Sequence, residues 1–260
     1  AELRRAIDDG ALTLFFQPKI DLEHRSVVGF EALARWHHPE RGMITPDVFI
    51  TLAEHSGLIR RLTSFVLDAA ITQATAWRDA GLDLPVAVNL SVRDLVDPGL
   101  PAEIAAILER SGLPADRLQL EITEGSVMDQ PERALATLDA LSALGVGLSV
   151  DDFGTGYSSL AYLQRLPVRE LKIDRSFVME LGSNESDCEI VRSTIDLGHS
   201  LGLSVVAEGV EDEGSLTFLG AAGCDVAQGF FIAHPMPADD VAGWMHGRTA
   251  GVTSPAPVDA

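Results

Sequence analysis

The sequence predicts an α/β fold, a modified (β/α)8 TIM-like barrel whose first two strands run antiparallel, and three observations carry that prediction. Short β-branched or aliphatic runs alternate with longer stretches of helical periodicity, the habit of parallel βα units. Eight such runs occur, which is the strand number of a closed barrel of this kind. The first two runs are separated only by Asp21 to Ser26, too short for a helical crossover, so that pair is antiparallel. At 260 residues, 46% of them hydrophobic, the chain is long enough to enclose one barrel core.

Taken in order, Ala1 to Asp8 is a helix with Leu3 and Ile7 on one face. Strands are expected at Leu12 to Ile20, Val27 to Ala34, Pro85 to Leu90, Leu118 to Thr123, Gly147 to Asp152, Glu170 to Ile173, Ser204 to Ala207 and Val226 to Ile232. Between the later runs, Arg61 to Ala80, Pro101 to Ser111, Pro131 to Leu144 and Asp187 to Leu201 carry apolar residues at helical spacing. Gly81, Gly112, Gly145 and Gly202 follow these helices directly, as C-terminal caps do. No internal linker or repeat is visible, so one domain is expected over 1–246. A flexible tail is expected over 247–260, rich in Gly, Thr, Ser and Pro without apolar periodicity. A chain that begins on Ala, already inside a helical pattern, is expected to be a piece of a longer polypeptide with other domains.

Composition excludes several classes. Acidic residues number 39 against 19 basic ones, and a formal charge of −20 opposes steering toward duplex nucleic acid. A phosphate-bearing substrate would need a local positive centre, which metal ions can supply. Cys188 and Cys224 stand far apart in no CxxC or Cys/His cluster and are expected to be buried free thiols. No run approaches the ~18 apolar residues of a membrane span, and Ala1 to Gly10 carries charges where a signal peptide would be apolar. This segment is expected to be soluble and cytoplasmic without membrane contact of its own, although its parent protein could be membrane-tethered.

Polar residues recur toward the downstream ends of the apolar runs: Gln17, Glu31, Asn89, Glu121, Asp151 with Asp152, Lys172 with Asp174, Glu208 with Glu211, and Gln228. Parallel barrel strands deliver their C-terminal ends to one face, so these residues converge on one mouth. Each acid could instead be a rim residue paired with Lys or Arg, but basic partners in these segments are few, chiefly Arg35, Lys172 and Arg175. Crowded carboxylates repel one another and are costly to desolvate unless protonated or bound to cations. Hard oxygen donors suit Mg2+ or Mn2+, and no strand end carries the His that zinc hydrolases use. The seven histidines are read as surface or packing residues, with His37, His38 and His55 in loops or helices.

The densest signal is Asp151 to Ser159, DDFGTGYSS. Neighbouring strand residues face opposite ways, so Asp151 and Asp152 can both reach a metal only where the strand ends and turns. Gly154 and Gly156 permit that turn, making the segment a candidate gating or phosphate-side loop. Glu124 lies just beyond the fourth run. It is expected to accept hydrogen bonds from this loop's amides or from Thr155, Ser158 or Ser159 without touching metal.

These residues carry a family resemblance. Gln17-Pro18, Glu31 to Arg35 (EALAR), Asn89-Leu90-Ser91, Glu121 to Glu124 (EITE), DDFGTGYSS, Lys172 to Asp174 (KID), Glu208 to Glu211 (EGVE) and Gln228 to Phe230 (QGF) occur in order from about Leu12 to Pro237. Together they resemble the EAL domain family of c-di-GMP-specific phosphodiesterases, which act in bacterial second-messenger signalling. The resemblance implies two Mg2+ or Mn2+ ions and hydrolysis of one phosphodiester of c-di-GMP to linear 5'-pGpG. Carried over by position, Glu31, Asn89, Glu121 and Asp151 resemble the ligands of one metal. Asp151, Asp152 and Glu208 resemble those of the second, with Asp151 bridging. Lys172 resembles the lysine beside the attacking water, and whether it or Glu208 takes the proton stays open. Gln17, Arg35, Asp174 and Glu211 resemble substrate contacts, Gln228 a water-positioning residue and Glu124 the loop anchor. The resemblance also implies a homodimer and unproductive occupation by Ca2+. Phe230 replaces a common Tyr, and His234 stands where a basic residue often precedes Pro; neither removes a ligand. Two other functions remain as alternatives: a c-di-GMP receptor that does not cut its ligand, and a barrel lyase using Lys172 as a Schiff-base amine.

Overall fold

The computed structural model describes residues 2–125, 130–155, 160–181 and 184–249. Strands β1 (Leu12–Asp21), β2 (Val27–His38), β3 (Gly42–Ile44), β4 (Val86–Leu90), β5 (Leu118–Thr123), β6 (Gly147–Phe153), β7 (Glu170–Ile173), β8 (Ser204–Ala207), β9 (Val226–Ala227) and β10 (Met236–Pro237) form one sheet. Eight of them close into a barrel: β2, β4, β5, β6, β7, β8 and β9 pair successively in parallel, and β1 completes the ring antiparallel to both β9 and β2. The fold is therefore the barrel expected from the sequence, with the inverted strand at its start.

Period-two alternation sorts the side chains of these strands. Val86, Val88, Leu118, Leu120, Ile122, Leu148, Val150, Leu171 and Ile173 are buried in the apolar core, on the strand face that a parallel barrel packs against its helices. Those helices include Ile59–Asp79, Leu100–Ser111, Pro131–Ala143 and Glu185–Ser200, each starting and ending within two residues of its sequence-based span. They contribute Leu67, Ile71, Ala74, Ile104, Leu138, Leu141, Val191 and Ile195. Each buried Val, Leu or Ile among them stabilises the fold by about 1.5–3 kcal/mol relative to exposure. The alternate positions, Asn89, Glu121, Ser149, Asp151 and Lys172, point the other way. The lumen is thus polar where most barrels are filled by branched aliphatics.

The structure differs from the sequence reading at several places. Strand β2 continues to His38, so His37 and His38 lie in a strand rather than a loop. Above its pairing with β4 at Phe30 to Ala32, β2 rises with β1 on one side and β3 on the other as a wall over the mouth. The eighth run is a strand only at Val226–Ala227. From Gln228 the chain leaves the sheet to clasp the loop after β8: Val210 donates its N–H to Gln228 O and accepts one from Phe231. Gly229 makes that contact possible, since a Cβ there would lie 2.2 Å from Val210 O. Further helices include Glu2–Asp8, Pro46–Ser56, Glu213–Ala221 and, last, Ala238–Thr249. The last includes Gly247 to Thr249, expected in the tail; Arg248 lies over the Trp244 ring and donates to Arg25 O at 3.1 Å. The remaining tail, 250–260, and Gly156, Ser158 and Ser159 lie outside the described residues. Cys188 and Cys224 are free thiols; Cys224 is buried and Cys188 partly so. No helix among the described residues is long and apolar enough to cross a membrane.

Candidate active site

Lys172 of β7 occupies the centre of the lumen with no exposed surface. Its Nζ lies 2.6 Å from Glu121 Oε2, 2.5 Å from Glu208 Oε1, 3.2 Å from Asp151 Oδ2 and 4.0 Å from Glu31 Oε2. Strands β2, β5, β6 and β7 and the end of β8 thereby meet at one ammonium group. Beneath it, Lys19 of β1 lies 2.6 Å from Glu121 Oε1 and 3.6 Å from Glu170 Oε1. Lys19 escaped the sequence reading, and the acids are partly neutralised by lysine, contrary to the expectation drawn from the scarcity of basic residues. The available signal was spacing: Lys19 lies two residues after Gln17 and so shares its strand face.

Toward the mouth, carboxylate oxygens of Asp151, Asp152 and Glu208 lie within 4.8 Å of one another, close enough to hold one metal ion. Adjacent strand residues reach the same side here because β6 breaks register with β7 between Val150 and Phe153. Asp152 also takes a left-handed backbone, φ 54°, a conformation that Asp tolerates better than most side chains. A second group surrounds Glu31. Asn89 Nδ2 donates to Glu31 Oε1 at 2.7 Å, and Gln228 Nε2 donates to Glu31 Oε2 at 2.6 Å and to Gln17 Oε1 at 3.0 Å. Gln17, level with Glu31 in the β1–β2 register, donates in turn to Ala233 O at 3.0 Å. Gln228 Oε1 is buried without a partner among the described residues.

The remaining site candidates stand around this centre. Arg35 shares the wall face of Glu31 and lies over the Phe15 ring, its Cζ 5.7 Å from the centroid. Asp174 adjoins Asp152 and caps the helical turn Arg175–Val178 by accepting from Ser176 N at 3.0 Å. Glu211 is exposed on the loop after β8. Glu124 is buried and accepts from Gly154 N at 3.1 Å through Oε2, while Oε1 has no partner among the described residues. Thr155 instead donates to Asp152 O.

Electrostatics separates these carboxyls. Burial pushes Glu208 up to about 8, with Asp151, Glu31 and Glu121 adding to the rise against Lys172. Burial and the neighbouring Asp151 and Asp174 raise Asp152 to about 6. Burial, opposed by Lys172, also raises Glu31. For Glu121 burial is overcome by Lys172 and Lys19, which hold it at about 2. Burial would lower Lys172, but Glu121, Glu208, Glu31 and Asp151 hold it well above the ordinary range. Five acids, Glu31, Glu121, Asp151, Asp152 and Glu208, thus face two ammonium groups. The surplus negative charge, presented entirely by oxygen donors, is satisfied by protons or by hard divalent cations.

A family model described as EAL domain matches residues 1–235. The chain belongs to the EAL domain family. The EAL domain is 46% identical over 241 residues to the bifunctional diguanylate cyclase/cyclic di-GMP phosphodiesterase MucR of Pseudomonas aeruginosa, covering 92% of this chain and 35% of MucR. It is 44% identical over 237 residues to the cyclic di-GMP phosphodiesterase NbdA of the same species, covering 91% of this chain and 30% of NbdA. The chain therefore spans about a third of the length of these relatives. The solved structure of the PaMucR phosphodiesterase in complex with c-di-GMP superposes with a TM-score of 0.89 at 46% identity, covering 92% of this chain and 98% of that one.

Proposed function

We propose that this EAL domain is a metal-dependent phosphodiesterase that hydrolyses c-di-GMP to linear 5'-pGpG. The observation that carries the reading is the convergence of Glu31, Glu121, Asp151, Asp152 and Glu208 around Lys172 at the barrel mouth. The similarity to MucR and NbdA supplies the substrate.

Glu31, Asn89, Glu121 and Asp151 would hold one cation and Asp151, Asp152 and Glu208 a second, with Mg2+ or Mn2+ fitting the all-oxygen donors. Such ions supply Lewis-acid polarisation of a phosphoryl oxygen and acidify a bound water. The chain's own groups do the rest. Lys172, held cationic, sets a fixed positive charge beside the developing charge on phosphorus-bound oxygen. Glu208 and Lys172, 2.5 Å apart, are the two groups placed to take the proton of the attacking water. A cationic Lys172 opposes Schiff-base chemistry, which needs a neutral amine. Gln228, whose Nε2 is committed to Glu31 and Gln17, leaves Oε1 to orient that water. Arg35 offers a planar pair of donors to a phosphate. Gln17, Asp174 and Glu211 complete the substrate contacts, and Glu124 anchors the loop after β6. The domain works as a homodimer, in the cytoplasm, beside other domains of its parent protein.

The deciding experiment incubates the protein with c-di-GMP and Mg2+ or Mn2+ and separates the nucleotides by chromatography. A pGpG peak that vanishes with excess chelator and returns with metal is expected. Full turnover in excess chelator overturns the metal reading, and nucleotide binding without pGpG establishes the receptor instead.

A further inference from the structure

Lys19 is the buried charge that this mechanism leaves unused. It lies on the inverted strand β1, which carries it down into the lumen below Gln17, and its side chain is almost wholly buried. Glu121 divides its two oxygens between two ammonium groups: Oε1 faces Lys19 at 2.6 Å and Oε2 faces Lys172 at 2.6 Å. The two lysines are not equivalent. Lys172 also touches Glu208, Asp151 and Glu31, so it can release Glu121 Oε2 and keep partners. Among the described residues Lys19 has besides Glu121 only Glu170 as an ion-pair partner, at 3.6 Å, whose Oε1 already accepts from Gln119 at 2.6 Å. Its hold on Oε1 is therefore the one that persists when a cation enters above.

We propose that Lys19 is a positioning residue of the metal site, which restricts Glu121 to ligation through Oε2 and thereby disfavours Ca2+. Ca2+ takes six to eight oxygens and accepts carboxylates in the two-oxygen mode, whereas Mg2+ demands near-octahedral geometry. A glutamate with one oxygen tied back serves the smaller ion and withholds a ligand from the larger. This inference rests on the reading of the cluster as a metal site.

The test is calorimetric titration of Mg2+ and Ca2+ into the metal-stripped protein and its Lys19→Met variant. Both ions carry the same charge, so losing the lysine's charge shifts the two affinities together, and their ratio isolates geometry. In Lys19→Met the ratio is expected to move toward Ca2+ by about tenfold, the lower end of what losing an outer-shell partner does to metal affinity. Lys19→Leu, which likewise has no donor for Glu121, is expected to move it the same way and serves if Lys19→Met does not fold. In a Glu121→Gln background, where the amide has a single oxygen to offer, Lys19→Met should leave the ratio unchanged. Unaltered ratios in the single variants, or an equal shift in the Glu121→Gln background, overturn the proposal. Failure of the wild-type protein to bind either ion would remove the metal-site reading itself.

Discussion

At the scale of single residues, the mouth is a set of acids whose neighbours decide what each can do. Asp152 is the sharpest case, held near Asp151 and Asp174 on a left-handed backbone. Asn adopts that conformation as readily as Asp, so Asp152→Asn removes a charge without straining the chain. Turnover is expected to drop by more than about a hundredfold, beyond the loss usual for outer-shell partners of a metal. The metal-free melting temperature should hold or rise. A sharp fall in that temperature would identify Asp152 as half of a structural ion pair. Glu208 yields a pH prediction. Its folded pKa of about 8 exceeds the ordinary 4.5, so over that interval the folded state holds a proton that the unfolded state releases. Its contribution to metal-free stability therefore declines as pH rises through the window. A cation must displace the proton, so Mg2+ binding should release protons at neutral pH and tighten as pH increases. Calorimetry in buffers of different ionisation enthalpy reads that release, and none at all would contradict the raised value.

At the scale of elements, the strands serve two masters at alternating positions. Leu120 and Glu121 are neighbours on β5, one in the apolar core and the other between two lysines. Leu120→Ala should cost about 2–5 kcal/mol of stability in urea unfolding, while the variant that remains folded keeps its metal affinity. The ends of β5 and β6 are joined by the bond from Gly154 N to Glu124. Gly154 has φ 99°, which only glycine adopts freely, so the turn brings its amide under the carboxylate and carries Asp151 and Asp152 with it. Glu124→Ala should weaken Mg2+ binding and lower turnover, with excess Mg2+ restoring part of the loss. Superimposable activity curves against Mg2+ would leave Glu124 without a part in the site.

Across the whole molecule, the strand that breaks the parallel rule also equips the site. An antiparallel β1 places Gln17 beside Glu31 and sends Lys19 below it, an order that a parallel strand would reverse. Because closure gathers the acids, a cation that binds them would bind only the folded chain. Mg2+ at about 100 times its dissociation constant should stabilise the fold by about 2.7 kcal/mol, seen as a higher melting temperature than in chelator. An unchanged melting temperature at saturating Mg2+ would show that the cluster binds no cation in the folded state.

The sequence by itself determined the barrel, because alternation of strand and helix periods is local, and the short Asp21 to Ser26 link forced an antiparallel start. It also determined the identity of the acids, whose positions along the runs place them at the mouth once the strands are parallel. Three features needed the closed structure. The partners of Lys172 come from strands far apart in sequence, so no spacing reveals that one ammonium faces four carboxylates. The early end of β9 follows from the close approach of Gly229 to Val210, a contact between two loops. Lys19 looked like an ordinary strand residue because its partners, Glu121 and Glu170, lie 102 and 151 positions away. Periodicity fixes which face of a strand a residue occupies; only closure of the barrel decides what stands opposite it.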